Sequence, residues 1–181
     1  MNIKDKMRAR LKLSRPSLRA EARPPGQRSV CGNQFSAANL PGALQLQHCT
    51  DCGHIQYPPA ELCGACLGHT LIYRNTACEG TLLAQSQLHH SLWEYFKRRI
   101  SEAPWPVATV RLNAGPVVIA HLVGRDFNAG DAVQVFSHSD ASRSVVLLAV
   151  SASANIETPQ LRQDIVAAIG LDQPAERQHG I

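Results

Sequence analysis

After residue 71, hydrophobic and polar residues alternate with a period of two, which is typical of β-strands with one buried face. Turn-forming residues interrupt the alternation, and residues 113–115 (Asn-Ala-Gly) and 128–131 (Asn-Ala-Gly-Asp) indicate hairpin turns. Five strands with short turns predict a small closed barrel of the OB type, lacking the helix that usually follows its third strand. The predicted strands are residues 80–88, 107–112, 117–123, 132–137 and 144–150.

One connection between these strands is long. Residues 89–106 join the first strand to the second and carry Trp93, Tyr95, Phe96 and Trp105 beside the consecutive cations Lys97, Arg98 and Arg99. In OB folds this loop and the loop before the last strand, here residues 138–143, shape the ligand end. Two interpretations stay open. The loop forms a lip that binds a partner or ligand, or Trp93 and Phe96 plug the barrel while the cations are solvated.

The end of the chain predicts a short helix over residues 158–170. Thr158 is suited to the N-cap, Pro159 to the first helical position and Gly170 to the position after the last turn. An apolar stripe follows the helical period and is expected to pack on this domain or on a partner. The stripe consists of Leu161, Ile165, Val166 and Ile169.

Before the strands, two Cys-x-x-Cys pairs are separated by ten residues. Cys49 and Cys52 form the first pair, and Cys63 and Cys66 form the second. A two-residue gap lets a tight turn aim both sulfurs at one point, and two such pairs complete a tetrahedral tetrathiolate site suited to Zn²⁺. Gly53 can take the positive φ that such a turn needs, with its amide facing sulfur. His48, His54 and His69 are interpreted as surface residues, because four thiolates already saturate zinc.

The predicted fold is therefore mainly β: an N-terminal rubredoxin-like zinc ribbon, a five-stranded OB-fold barrel and a short C-terminal helix. Residues 1–34 are predicted to be a disordered basic tail that includes Cys31. Residues 35–76 form the ribbon with its lead-in segment, 77–154 the barrel, and 155–181 the helix and a tail.

Charge is distributed unevenly along the 181 residues, whose net charge is +4. Residues 1–28 hold nine Lys and Arg and two acids, a net charge of +7, so residues 29–181 carry −3. No apolar run reaches the ~18–20 residues of a membrane span, and the basic leader lacks the apolar region of a secretory signal. We expect a cytoplasmic protein, whose reducing compartment favours zinc over disulfides.

Catalytic motifs are not apparent in the sequence. It has no nucleophile elbow, P-loop, dinucleotide-binding glycine pattern or metal motif with an open position. Cys78 stands before a strand and is interpreted as a buried apolar residue rather than a reactive thiolate. We therefore expect a protein that is not itself an enzyme, with no catalytic residues.

Several sequence segments resemble those of a known family. The resemblance rests on LQHCTDCGHIQYPPAELCGACLGHTL, EGTLLAQSQLHH, PWPVATVRLNAGPVVIAHLVG and GDAVQVF, which cover about residues 40–150. Together they resemble the acyl-CoA-associated zinc-ribbon/OB-fold proteins, known as domain of unknown function thirty-five. The chain departs from the family in its basic leader, in Gly64 where a proline is usual, and in its extended C-terminal segment.

The resemblance implies an accessory subunit of a thiolase-like enzyme in lipid metabolism, which would be condensing, acetyl-transferring or an aldolase. Such a subunit would brace its partner in a hetero-oligomer and help to accommodate the partner's acyl-CoA. Of the family's residues, only Cys49, Cys52, Cys63 and Cys66 are carried over, as ligands of a structural Zn²⁺. Contacts from Arg98, Arg99 and Arg143 to the CoA phosphates are our own hypothesis from charge on the ligand-end loops.

Two further expectations concern binding surfaces. A thiolase-like partner is expected to dock on the ribbon and the 89–106 loop, with Trp93, Phe96 and Trp105 as the apolar centre and residues 97–99 as a charged rim. The alternative function is a module that binds single-stranded nucleic acid. It is disfavoured because residues 107–112 and 117–123 contain no aromatic residue, and because the part after the tail is net negative.

Overall fold

The computed structural model describes residues 3–4, 27–39, 42–92, 96–97, 100, 104–124, 126–140 and 144–169. Several residues that the sequence analysis singled out lie outside these ranges. They are most of the predicted basic tail together with Trp93, Tyr95, Arg98, Arg99, Arg143 and Gly170.

The ribbon is a three-stranded antiparallel sheet preceded by a helix. The helix α1 (Val30–Ala38) leads to strands β1 (Gln45–Cys49), β2 (Ile55–Gln56) and β3 (Leu71–Asn75), which lie in the order β2-β1-β3. Ser29 caps α1, because its Oγ accepts a hydrogen bond from the Gly32 amide at 3.1 Å. The buried Asn39 side chain then donates to the carbonyls of Phe35 and Gln45 and accepts from the Gln45 amide, which fixes α1 against β1.

The position of α1 changes the predicted limit of the basic tail. The boundary expected at residue 34 falls inside this helix, and Cys31, which was assigned to the disordered tail, is buried. Phe35, the first residue after the predicted boundary, packs on the ribbon, where its ring centroid lies 5.9 Å from that of Tyr57 and 6.4 Å from that of Tyr73.

Five strands form a closed barrel, as predicted. They are β4 (Glu79–Leu88), β5 (Trp105–Leu112), β6 (Val117–Leu122), β7 (Ala132–Ser139) and β8 (Val145–Ser151), in the order β4-β5-β6-β8-β7. All pairs are antiparallel except β6 with β8. Among the described residues between β6 and β7 there is no helix, so the prediction that this helix is missing agrees with the part of the connection that the structure describes.

One of the two predicted hairpins is correct and the other is wrong. Residues 113–115 join β5 to β6 as expected. Residues 128–131 do not form a hairpin, because β7 pairs with β4 and β8 instead of β6. This turn is attached to β4: the Leu82 amide donates to the Asp131 carbonyl, and the Gly130 amide donates to the Leu82 carbonyl. These bonds lie at the irregularity between Leu82 and Ala84 in the β4–β5 register.

The ribbon and barrel share a hydrophobic core. Phe35, Leu44 and Leu46 from the ribbon side belong to the same buried cluster as the inward-facing residues of the barrel, among them Leu82 and Val135. The segment before β1 also pairs with the barrel, because Gly42 donates to the Ser137 carbonyl and Ser137 donates to the Ala43 carbonyl. Burial of the ribbon's apolar side therefore depends on the barrel beneath it.

The C-terminal helix packs on the barrel. The helix α2 (Pro159–Ile169) begins at the predicted proline, and the Thr158 carbonyl accepts the bond from the Arg162 amide. Ile165 and Ile169 are buried in a second cluster with Val123, Phe136 and other barrel residues. The apolar stripe was expected to pack either on its own domain or on a partner protein, and in the structure it packs on its own domain. The helix is too short to cross a membrane, and no helix among the described residues is long and apolar enough to do so.

Candidate metal centre

Cys49–Cys52 and Cys63–Cys66 form two turns with the same backbone hydrogen bonds. In the first turn the Gly53 amide donates to the Cys49 carbonyl at 2.9 Å, and the Cys49 amide donates to the His54 carbonyl at 2.9 Å. In the second turn the Leu67 amide donates to the Cys63 carbonyl at 3.0 Å, and the Cys63 amide donates to the Gly68 carbonyl at 2.8 Å. We call these turns the first and second knuckles. Each knuckle holds its two sulfurs on one side of a tight turn.

The residue after each knuckle's second cysteine has a positive φ. Gly53 has φ of 75°, as predicted from its position, while Leu67 has φ of 61°. The Gly53 amide bonds a carbonyl rather than the sulfur that the sequence analysis assigned to it. Leucine is disfavoured in this left-handed conformation by roughly 1–2 kcal/mol, so the second knuckle carries backbone strain that the first avoids.

The structure brings all four cysteines together. Their Sγ atoms lie within 4.8 Å of one another, and the Cys49–Cys66 and Cys52–Cys63 pairs are each 3.6 Å apart. Sulfurs placed about 2.3 Å from a central Zn²⁺ in a tetrahedron would be about 3.8 Å apart. The four sulfurs therefore fit a zinc ion, and the cofactor expected from the sequence is a structural zinc.

The electrostatics of the sulfurs also suit a cation. Hydrogen bonds from the backbone amides of Cys66 and Ala65 lower the pKa of Cys63 to about 6. A hydrogen bond from the Gly68 amide lowers the pKa of Cys66. Hydrogen bonds with the other three thiols and burial outweigh it, and the net effect raises this pKa to about 12. Four thiolates this close together repel one another, so all four cysteines can be deprotonated only when a positive charge lies between them. A divalent metal ion supplies that charge.

The neighbouring histidines are not part of the ligand set. Among the described residues, the group able to hold a metal consists of the four cysteines alone. His54 and His69 are exposed, and His48 hydrogen-bonds Thr76 at 3.1 Å. Cys78 also lies outside the group; it is half-buried, and the pKa of its thiol is raised by burial and by Glu79.

The second knuckle is attached to the sheet by two residues that the sequence analysis missed. Gln47 of β1 and Gln56 of β2 are buried and bond the backbone between residues 60 and 64. The only available signal was their position next to the metal motif, because a glutamine in an alternating strand is normally expected to face solvent.

The expected ligand end of the barrel is described only in part. Arg98, Arg99 and Arg143, the predicted CoA contacts, lie outside the described residues. Trp105 stands in β5 and not in the loop. It is buried and stacks on His121 at 4.1 Å between ring centroids, with Phe96 packed against it at 5.6 Å. Trp105, predicted in the apolar centre of the docking surface, instead has its ring in the barrel wall and is 6% exposed, so little of it is available to a partner.

Comparisons with known proteins were consistent with this architecture. Residues 41–71 match the family model described as "ChsH2, rubredoxin-like zinc ribbon domain". The solved structure of the "Ltp2-ChsH2(DUF35) aldolase" contains a chain that is 22% identical, with a TM-score of 0.56. The alignment covers 72% of this chain and 99% of that one. No curated protein matches the chain in sequence. The ribbon match and the shared fold agree with the zinc ribbon and barrel that the sequence predicts.

Proposed function

We propose that this chain is a non-catalytic accessory subunit that binds a thiolase-like enzyme in a hetero-oligomer and helps to accommodate its acyl-CoA substrate. The observation that carries the proposal is the shared architecture, which extends over 99% of the related chain. That related structure joins Ltp2 and ChsH2(DUF35) in one name and is called an aldolase. We expect the same kind of partnership, in the cytoplasm and in lipid metabolism.

The zinc site supports a structural rather than a chemical role. Catalytic zinc keeps one coordination position for water or substrate, whereas four cysteine ligands leave none. In the described residues these four cysteines account for the whole candidate metal cluster. The chemistry would then belong to the partner enzyme, and the ribbon would present a rigid surface to it.

The second knuckle offers such a surface. Leu62 and Leu67 flank this knuckle and are 50% and 72% exposed. Gly53 occupies the equivalent backbone position of the first knuckle without strain, so the leucine at position 67 is not required by the fold. An exposed leucine at a strained position beside a metal ligand is suited to insertion into a partner, because the hydrogen bonds of the knuckle already order its backbone before binding.

The binding of acyl-CoA phosphates by Arg98, Arg99 and Arg143 is part of the same proposal. Arg98 and Arg99 follow Lys97, which is exposed, and Arg143 precedes the buried Ser144, the residue before β8. Guanidinium groups bind phosphates with two parallel hydrogen bonds, which makes arginine well suited to this role.

The docking surface can be tested with Leu67→Gly. Glycine relieves the backbone strain while removing the side chain, so this variant should be more stable by about 1 kcal/mol and yet bind the partner more weakly. Ile119→Ala is the matched control, because Ile119 is 61% exposed on the outer face of β6 in the barrel. Both variants would be co-expressed with the thiolase-like enzyme encoded nearest to this chain, and complexes measured by size-exclusion chromatography and calorimetry.

The outcomes separate the partner from the surface. Wild-type chain that elutes apart from the enzyme contradicts the accessory-subunit proposal. If the wild type co-elutes and Leu67→Gly binds as tightly as Ile119→Ala, the partner is correct and the surface lies elsewhere.

A further inference from the structure

Gln47 and Gln56 form a buried pair of amide side chains at the centre of the ribbon. They are 4% and 8% exposed and stand opposite each other in the β1–β2 pairing. Gln56 Nε2 donates a hydrogen bond to Gln47 Oε1 at 3.0 Å. Buried amides that lack partners are costly, so the remaining bonds of this pair show what the two side chains are placed to hold.

Both glutamines hold the chain that leads into the second knuckle. Gln47 Oε1 accepts from the Ala60 amide at 2.8 Å, and Gln47 Nε2 donates to the Ala60 carbonyl at 3.0 Å. Gln56 Nε2 donates to the Leu62 carbonyl at 3.2 Å, and Gln56 Oε1 accepts from the Gly64 amide at 2.9 Å. One side chain therefore holds the peptide groups on both sides of the metal ligand Cys63.

Little else attaches this segment to the sheet. Residues 58–64 are described throughout, and their other hydrogen bonds stay within the second knuckle or join cysteine sulfurs. Most of these residues are exposed, although Cys63 itself is completely buried. The first knuckle differs, because Cys49 is the last residue of β1 and is placed by the sheet itself.

The pair is also connected to the opposite side of the ribbon. Tyr73 stands opposite Gln47 in the β1–β3 pairing. The Tyr73 hydroxyl in turn donates to the Cys31 carbonyl in α1 at 3.2 Å. The ribbon sheet therefore joins α1, through Tyr73, to the backbone around Cys63, which Gln56 holds.

We propose that Gln47 and Gln56 are the positioning residues of the zinc site. They hold Cys63 and Cys66 opposite the first knuckle, so that metal binding does not have to order residues 58–68 by itself. Residues that orient metal ligands through hydrogen bonds typically change metal affinity on the order of 10–100-fold when they are lost. The pair should therefore control how long zinc stays bound, independently of any partner enzyme.

The test is the rate at which the isolated, zinc-loaded chain releases zinc to an excess of a coloured chelator. Gln56→Met has a similar length and no amide, so zinc release should accelerate on the order of 10-fold or more. Gln56→Glu keeps the acceptor for the Gly64 amide and loses both donors, so it should fall between wild type and Gln56→Met. The absorption bands of the Co²⁺-substituted site should shift in Gln56→Met, because its thiolates are no longer held in one geometry.

Asn39→Ala is the matched control. Asn39 is 3% exposed and makes three hydrogen bonds within α1 and β1, away from the second knuckle. It should destabilise the ribbon without changing the Co²⁺ spectrum or accelerating zinc release as Gln56→Met does. Equal release rates in Gln56→Met and Asn39→Ala would overturn the proposal. If Gln56→Met does not fold, wild-type release by Gln56→Glu would overturn it as well.

Discussion

Cys63 is one of the two buried metal ligands, the other being Cys49. The Cys63 side chain is completely buried, its amide donates to the Gly68 carbonyl, and its carbonyl accepts from the Leu67 amide. Cys52 and Cys66, by contrast, are exposed. A substitution at position 63 therefore removes a metal ligand and a core side chain together.

Cys63→Ser should lose the zinc and unfold the ribbon. Structural zinc contributes an apparent ~10–16 kcal/mol in small modules at neutral pH, which far exceeds what so small a sheet provides by packing. Elemental analysis should give one zinc per wild-type chain and almost none in the variant. Cys78→Ser is the control, since Cys78 is half-buried and outside the ligand group. Full zinc content in Cys63→Ser would contradict the assignment of the site.

At the residue scale, the ligands could be predicted and the residues that position them could not. The cysteine spacing is local and specific to metal binding, so the four ligands can be identified from the sequence without any knowledge of the fold. Gln47 lies beside the buried Leu46, and both faces of β1 are covered at this point. A prediction from the alternation of hydrophobic and polar residues assumes that one face of the strand is exposed, and it therefore places the Gln47 side chain in solvent.

At the scale of elements, closure of the barrel depends on a close approach at Gly80. This residue pairs with Leu112 of β5 on one side and Val133 of β7 on the other. A Cβ atom placed on it would lie 2.5 Å from the Arg111 carbonyl oxygen and 2.9 Å from Val110 Cγ1. The backbone oxygen cannot move away without disturbing the β4–β5 ladder.

Gly80→Ala should consequently destabilise the barrel. Overpacking of this kind costs about 1–3 kcal/mol, and denaturant unfolding followed by circular dichroism would measure it. Thr81→Ala, one residue along the same strand and exposed, should cost less. An equal free energy of unfolding for Gly80→Ala and wild type would mean that the strands separate here without penalty.

The strands could be predicted from the alternation of hydrophobic and polar residues, whereas their pairing could be predicted only in part. All five predicted strands are present, and each end lies within two residues of its prediction. The hairpin at residues 113–115 is local and was predicted correctly. The parallel pairing of β6 with β8 joins residues such as His121 and Leu148, which are far apart in the chain. A turn sequence such as residues 128–131 shows that the chain reverses without showing which strand it meets next.

At the scale of the whole molecule, the ribbon, the barrel and α1 form a connected structure. The ribbon contributes Leu44 and Leu46 to the barrel's core cluster, and α1 contributes Phe35. Just before α1, Arg28 donates to the hydroxyl of Ser144, the residue before β8. These contacts set the point from which a shortened chain should begin. A deletion that extends past Gln27 would remove a barrel contact and then the cap of α1.

Nucleic-acid binding is best tested with a chain that lacks residues 1–26. The deleted residues hold eight Lys and Arg and two acids, whereas residues 29–181 carry a net charge of −3. Binding of the full chain to single-stranded DNA should be non-specific and fall steeply as salt rises, because each phosphate contact releases counterions. The shortened chain should show no binding at physiological salt, as measured by fluorescence anisotropy with labelled oligonucleotides. It keeps Arg28 and Ser29, so a loss of binding reports the missing charge rather than unfolding. Tight, salt-resistant binding by this shortened chain would instead favour a nucleic-acid-binding ribbon and barrel over an accessory subunit.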